Sequence, residues 1–240
     1  MSVIMVPFVG NIGTGKSTAI RRLKKSMLLQ MEIIRRKKNY TQKVQIAWML
    51  EPTDIWESLG WLEEFYKNPD DNAFWFQLGV FDSHVDKVEE LVKHKKHEEV
   101  LIIIVERSFY CQRIFWETQM DMERAKKQQD EVYKRMWKKW KRFVPEPSLI
   151  FLFKTSDLRI NHKRIKSRSR DGETSISMDY LQLLEDKHSK WFKEPRAFPP
   201  GGPEKGIRCV YIDTDQPFHK DDKVLQELAS TMAAHFICLL

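Results

Sequence analysis

The sequence predicts an α/β protein in which a five-stranded parallel sheet is flanked by helices. Two observations carry that prediction. Five short apolar runs alternate with helix-length segments over 240 residues, the pattern produced by right-handed β-α-β crossovers. A glycine-rich turn follows the first run and leads directly into a helical pattern. The length suits one sizeable core, so residues 1–240 are expected to form a single domain.

The first strand is read at Ser2–Val9. Pro7 lies inside it, which is unusual for a central strand because proline offers no N–H to the ladder. A helix follows at Ser17–Arg36, then a strand at Val44–Leu50 and helices at Trp56–Lys67 and Ala73–Lys96. The third strand, Val100–Val105, precedes a long helical pattern, Cys111–Phe143, with a break near Met120–Glu123. Leu149–Lys154 and Ile207–Ile212 complete the strands, and Asp157–Ser169, Met178–Lys193 and Asp221–Leu240 the helices. Pro195–Gly206 holds most of the proline and glycine punctuation and reads as a surface loop.

The net charge of +7 favours an anionic partner. Much of the excess lies in Arg21–Lys38 and Lys126–Arg142, where basic and apolar residues interleave at helical spacing. These stretches read as solvated helix faces rather than as a nucleic-acid surface. Cys111, Cys209 and Cys238 are odd in number and far apart. They indicate neither a disulfide framework nor a zinc site. No apolar run reaches the roughly 20 residues of a membrane span, and no obvious transit peptide precedes the first strand. A cytoplasmic protein is expected; a mitochondrial one and a virus-encoded one working in a host cell both stay open.

Gly10-Asn11-Ile12-Gly13-Thr14-Gly15-Lys16-Ser17-Thr18 matches G-x-x-x-x-G-K-[ST] between a strand and a helix. In such a P-loop, backbone N–H groups wrap phosphate oxygens, the lysine reaches the β/γ phosphates, and the Ser17 hydroxyl faces magnesium. Glu51, before Pro52, closes the second strand at the edge where open α/β sheets place ligands. A carboxylate there can take the proton of a hydroxyl nucleophile. Glu106-Arg107-Ser108 closes the third strand: Glu106 suits magnesium, and Arg107 suits phosphate charge or the positioning of Glu51. A buried structural ion pair is the plainer alternative. Arg164, Arg168 and Arg170 precede Asp171-Gly172-Glu173. They read as an arginine-rich lid over roughly residues 164–177, with a short arginine-serine RNA-binding run as the rival. The Gln77 amide offers both a donor and an acceptor to a base edge.

In this order the elements resemble the deoxynucleoside kinase family. The resemblance rests on Gly10–Thr18, Glu51-Pro52 with Trp56, Tyr66 eleven residues before Gln77, Glu106-Arg107-Ser108 with Tyr110 and Arg113, and Arg164 through Glu173 to Tyr180-Leu181. It implies a P-loop kinase fold with an arginine-rich lid, transfer of the ATP γ-phosphoryl to the 5′-hydroxyl of a deoxynucleoside, a need for Mg2+, and a homodimer. By the same resemblance Glu51 is the catalytic base, Arg107 its companion, and Glu106 a magnesium-associated carboxylate. Tyr66 and Glu173 bind the sugar 3′-hydroxyl, Gln77 meets the base, and Trp56, Phe76 and Trp116 wall the base pocket. Arg164, Arg168 and Arg170 are lid arginines, and Asp213, Asp215 and Phe218 lie in the loop near adenine. At the positions that set base choice stand Val80, His84 and Gln112. Val80 is usual in thymidine-accepting members, whereas His84 and Gln112 replace the arginine–aspartate pair of deoxycytidine kinase. A broad enzyme with a pyrimidine preference is expected. A purine preference, a nucleoside monophosphate kinase and a P-loop ATPase that binds nucleic acid are the alternatives.

Overall fold

A computed structural model describes residues 3–37, 43–96, 99–168, 170, 172–192, 207–215, 222–237 and 239. Five parallel strands form one sheet in the order β2-β3-β1-β4-β5. They are β1 (Val3–Val9), β2 (Val44–Met49), β3 (Val100–Glu106), β4 (Leu149–Lys154) and β5 (Arg208–Asp213). Between and after them run α1 (Lys16–Lys37), α2 (Thr53–Ser58), α3 (Trp61–Lys67), α4 (Pro69–Lys93), α5 (Phe109–Asp121), α6 (Lys127–Trp140), α7 (Leu158–Arg168), α8 (Met178–Phe192) and α9 (Asp222–Ile237). The expected loop Pro195–Gly206 lies outside the described residues.

Both faces of the sheet are covered because the central strands are apolar throughout except for Glu106 at the end of β3. Ile4, Val6 and Phe8 of β1, with Val100, Ile102 and Ile104 of β3, face α1 and α9 through Leu23, Met27, Met232 and Phe236. The intervening row turns to the other face, where Met5, Leu101, Ile103 and Val105 meet Val88 of α4. Val9, Ile150 and Leu152 join a second core with α5 and α8. A one-residue slip would exchange these rows. Each fully buried large apolar side chain contributes roughly 1.5–3 kcal/mol, so the pattern fixes the register firmly.

The strand containing Pro7 is the central one, and the structure shows how it is tolerated. Phe8 accepts a hydrogen bond from the Arg107 N–H on the β3 side, and Met5 accepts one from the Ser148 N–H on the β4 side. Backbone groups alternate in direction, so the missing donor of Pro7 faces β4. There β1 meets Pro147 at Met5 and resumes pairing only at Phe8 with Phe151. The proline sits where the β1–β4 ladder is interrupted, and the donor it lacks faces that gap.

Two helix expectations need correction. Trp56–Lys67 is not one helix: α2 and α3 are separated at Gly60, whose φ of 71° is a left-handed value that favours glycine. The helix expected from Ala73 begins four residues earlier, with Pro69 in its first turn followed by Asp70 and Asp71. Proline loses nothing there and the two carboxylates meet the positive end of the helix dipole. The break expected near Met120–Glu123 widens to the segment between α5 and α6, with Glu123 at φ 56°.

Candidate active site

The carboxyl ends of β1, β2 and β3 converge with α4, α5 and α7 around a cavity of about 390 Å³. That volume lies within the usual range for small-molecule sites. One end is polar and cationic, the other aromatic.

At the polar end the loop after β1 closes tightly. A Cβ on Gly10 (φ 144°) would lie 2.2 Å from the Phe153 carbonyl oxygen, and one on Gly13 (φ 79°) 2.7 Å from that of Asn161. Only glycine admits such close approach. Thr14 Oγ1 donates to the Asn11 carbonyl at 3.0 Å, and Asn11 Nδ2 to that of Leu181 at 2.8 Å. Lys16 Nζ donates to the carbonyls of Gly10 at 3.0 Å and Asn11 at 2.8 Å. Burial, with Arg107 adding to it, draws the Lys16 ammonium down to about 7 while Glu106 and Glu51 oppose the shift. A polyanion beside Lys16 would restore its charge. The loop therefore holds a buried cation and the start of α1 against the same space.

The next two strand ends bring three ionisable groups together. Arg107 Nε donates to Glu51 Oε1 at 2.6 Å, and its Nη1 donates to the Gly10 carbonyl at 3.1 Å. Its guanidinium lies 4.4 Å from the centre of the Phe115 ring. Arg107 has a φ of 64°, a left-handed conformation that costs a non-glycine residue roughly 1–3 kcal/mol. The bend turns its side chain back across the sheet edge. Burial raises the Glu51 carboxyl above its ordinary value, and the Arg107 charge partly offsets this. Glu106 accepts from the Ser17 hydroxyl at 2.5 Å and from the Glu51 N–H at 3.4 Å. Ser17 and Glu106 thus present a hydroxyl and a carboxylate side by side. Among the described residues no cluster of three His, Cys, Asp or Glu side chains forms a metal cage.

The aromatic end is built by α2, α3 and α4. Phe65 stacks on Phe76 at 4.6 Å between centroids, and Trp56 meets Phe76 edge-on at 5.9 Å. The Trp56 indole N–H donates to Ser83 Oγ at 3.1 Å. Gln77 lines this end; its side chain is buried, and Oε1 has no hydrogen-bond partner. An unpaired buried acceptor on a cavity wall is costly unless a ligand completes it. Tyr66 lies alongside, its phenol kept protonated by burial and by the neighbouring Tyr180 and Glu173.

Opposite, α7 and the segment after it supply three arginines. Arg164 Nη2 donates to the Thr214 carbonyl at 2.7 Å, whereas its Nη1 is buried without a partner. Arg168 and Arg170 both pair with Glu173, and Arg170 also reaches Glu57 of α2 at 2.7 Å. A Cβ on Gly172, φ 76°, would lie 3.1 Å from the Tyr66 side chain.

The cavity therefore gathers Ile12, Gly13, Gly15, Lys16, Ser17, Thr18, Glu51, Trp56, Tyr66, Phe76, Gln77, Val80, Glu106, Arg107, Gln112, Arg164, Arg168, Arg170 and Glu173. Gly10, Asn11 and Thr14 shape the loop from behind. Trp116 is not on the wall: it stacks on Tyr133 at 4.5 Å and donates to Asp130. Phe115, its neighbour, takes the wall position. His84 also lies off the wall, buried, with Nε2 unpaired. Asp215 accepts from the Ser156 N–H, and Asp213 from the Asp215 N–H. Both brace the turn after β5 without lining the cavity, and Phe218 lies outside the described residues. Arg21, Thr53, Leu62 and Phe65 line it without having been given a role in the sequence, and so does Tyr180, which entered there only through the family resemblance.

The family model for deoxynucleoside kinases matches residues 8–237. A fowlpox virus protein described as a probable deoxycytidine kinase is 30% identical over 77% of this chain and 70% of its own length. Deoxycytidine kinase 2 of Gallus gallus is 28% identical over 91% of the chain and 84% of its own. The mitochondrial deoxyguanosine kinase of Xenopus laevis is 22% identical over 98% and 90%. With the match spanning the glycine-rich loop, strands β2 to β5 and the arginine segment, the chain belongs to the deoxynucleoside kinase family, whose members are ATP-dependent enzymes.

Proposed function

We propose that this kinase transfers the γ-phosphoryl of magnesium-bound ATP to the 5′-hydroxyl of deoxynucleosides, broadly but with a pyrimidine preference, accepting thymidine as well as deoxycytidine. The observation that carries the base assignment is Gln77, buried on the aromatic wall with its carbonyl oxygen unpaired. Its amide can turn to match cytosine, thymine or adenine, which is the source of the breadth. His84, which lies off the cavity wall, adds no charge near it, because burial draws its imidazole down to about 4.

In the transfer, a lone pair of the 5′-oxygen forms the new bond to the γ-phosphorus while the bond to the β–γ bridging oxygen breaks and ADP departs. Glu51 takes the hydroxyl proton, and Arg107 holds its carboxylate in line. Lys16 and the lid arginines Arg164, Arg168 and Arg170 meet charge on the phosphates. Ser17 and Glu106 fit magnesium, which takes few protein oxygens and completes its shell from phosphates and water. The ion held there would supply positive charge against the negative charge that develops on the phosphates.

Measuring kcat/KM with ATP for thymidine, deoxycytidine, deoxyadenosine, deoxyguanosine, their monophosphates and water tests this reading. The two pyrimidine nucleosides are expected to rank first, separated from each other by only about 10- to 200-fold, because the Gln77 amide can turn to match the reversed donor–acceptor edge of either and the remaining difference, the C5 methyl of thymine, discriminates weakly. A purine in first place would refute the base assignment, and preferred use of monophosphates or water would refute the acceptor class.

Tyr66 and Glu173 support selection of the sugar 3′-hydroxyl, since both line the cavity close together. A 3′-deoxy analogue is expected to lose about 10⁴-fold in kcat/KM. Tyr66→Phe should narrow that gap, and equal kcat/KM for both substrates in the unaltered enzyme would remove the role. The proposal extends to a homodimer, to nucleotide salvage, and to a cytoplasmic enzyme of viral origin, which a fowlpox virus relative supports. No described helix is long and apolar enough to cross a membrane.

A further inference from the structure

Asn161 is completely buried on α7, yet it lies off the cavity wall. Its Nδ2 donates to the Ile12 carbonyl in the phosphate loop at 2.7 Å. Its Oδ1 accepts from the hydroxyl of Thr155, the residue that follows β4. The second bond fixes the first. With the amide reversed, Oδ1 would face the Ile12 carbonyl and both oxygens would be left without a donor. The backbone confirms the closeness of the joint, because a Cβ on Gly13 would lie 2.7 Å from the Asn161 carbonyl oxygen and 3.0 Å from its Cα. Asn161 therefore ties the last strand end before α7, α7 itself and the phosphate loop together at one point.

The same helix carries the cationic side of the cavity. Arg164 and Arg168 stand three and seven residues further along α7, on the Asn161 side of the helix. Arg164 brings a buried Nη1 without a partner to the cavity. A helix pinned at its first turn to the loop that grips the phosphates sets how far its later arginines reach.

We propose that Asn161 is a positioning residue that couples the phosphate loop to α7, so that Arg164 and Arg168 meet the transferring phosphoryl at a fixed reach. This rests on the reading that these arginines stabilise the transfer. Asn161 touches neither substrate, and its effect passes through the Ile12 carbonyl at one end and the arginines at the other.

A double-mutant cycle tests it, using Asn161→Asp, Arg168→Ala and the pair. The aspartate still accepts from Thr155 but cannot donate to Ile12. Alone it is expected to lower kcat about 10- to 100-fold while the KM for the deoxynucleoside changes less than about threefold. In the Arg168→Ala background it should cost less than about threefold, because the reach it sets no longer matters. Thermal melting checks that each variant folds; if the aspartate variant does not, Asn161→Ala goes through the same cycle. Full additivity, or an unchanged kcat in Asn161→Asp, would overturn the coupling while leaving the arginine reading intact. If instead Arg168→Ala leaves kcat unchanged, the arginine reading fails, and the coupling with it.

Discussion

Lys16→Ala is expected to lower kcat by about 10²–10³-fold, the loss seen when one preorganised stabiliser of developing charge is removed. The reason lies in what Lys16 does before substrate arrives. Its ammonium is buried and bound to the Gly10 and Asn11 carbonyls. Its charged end is bound to loop carbonyls rather than to a core side chain, so the variant should fold. Burial already draws it down to about 7. An ATP phosphate would reverse that shift by favouring the charged form. The interaction therefore grows as phosphate charge grows, which is the requirement for stabilising a transition state more than a ground state. Turnover near that of the unaltered enzyme, in a variant that melts normally, would remove the glycine-rich loop from the chemistry.

The polar half of this site was legible in the sequence because its residues sit where chain geometry leaves little choice. The phosphate loop is contiguous, and Glu51, Glu106 and Arg107 stand at strand ends, which parallel topology brings to one sheet edge. The pairing of Arg107 with Glu51 follows from that placement. Its left-handed backbone does not, since nothing in Glu-Arg-Ser signals a positive φ at arginine.

The aromatic half was harder to read, for a physical reason. Adjacent helix residues point about 100° apart, so choosing between Phe115 and Trp116 requires the rotational phase of α5. That helix is buried nearly all round, with Phe109, Tyr110, Cys111, Gln112, Ile114, Trp116, Thr118 and Gln119 all inside. A row of Arg113, Glu117 and Asp121 does run along it, but Arg113 and Glu117 are half-buried and paired with each other, so the row is a weak guide to phase. His84 is a milder case: it follows Gln77 by seven residues on the same face of α4, but two turns further along, past the cavity. The helix break at Gly60 and the early start at Pro69 did carry local signals, in a glycine and in a proline followed by two aspartates. Composition alone concealed them inside longer helical patterns.

Glu51→Gln is expected to have the largest effect, a loss of about 10²–10⁴-fold in kcat with deoxynucleoside affinity nearly unchanged. Glutamine keeps the shape of the side chain and can still accept from Arg107 Nε, so the pocket is preserved while the proton acceptor is lost. The pH profile gives a second, independent reading. Burial raises the Glu51 carboxyl above its ordinary 4.5, with Arg107 only partly offsetting it. A general base works in its deprotonated form. Activity is therefore present above the raised pKa and falls as pH drops through it, so the acid limb should lie above the ordinary carboxylate range. The same shift has the opposite sign for stability. A carboxyl whose pKa is raised on folding favours the folded state below its unfolded value, and that contribution is lost as pH rises through the folded one. Glu51→Gln removes the group that titrates and should flatten the acid limb. If isothermal titration shows lost nucleoside binding while kcat and the acid limb stay as they were, Glu51 is a binding group and the proton leaves the 5′-hydroxyl by another route.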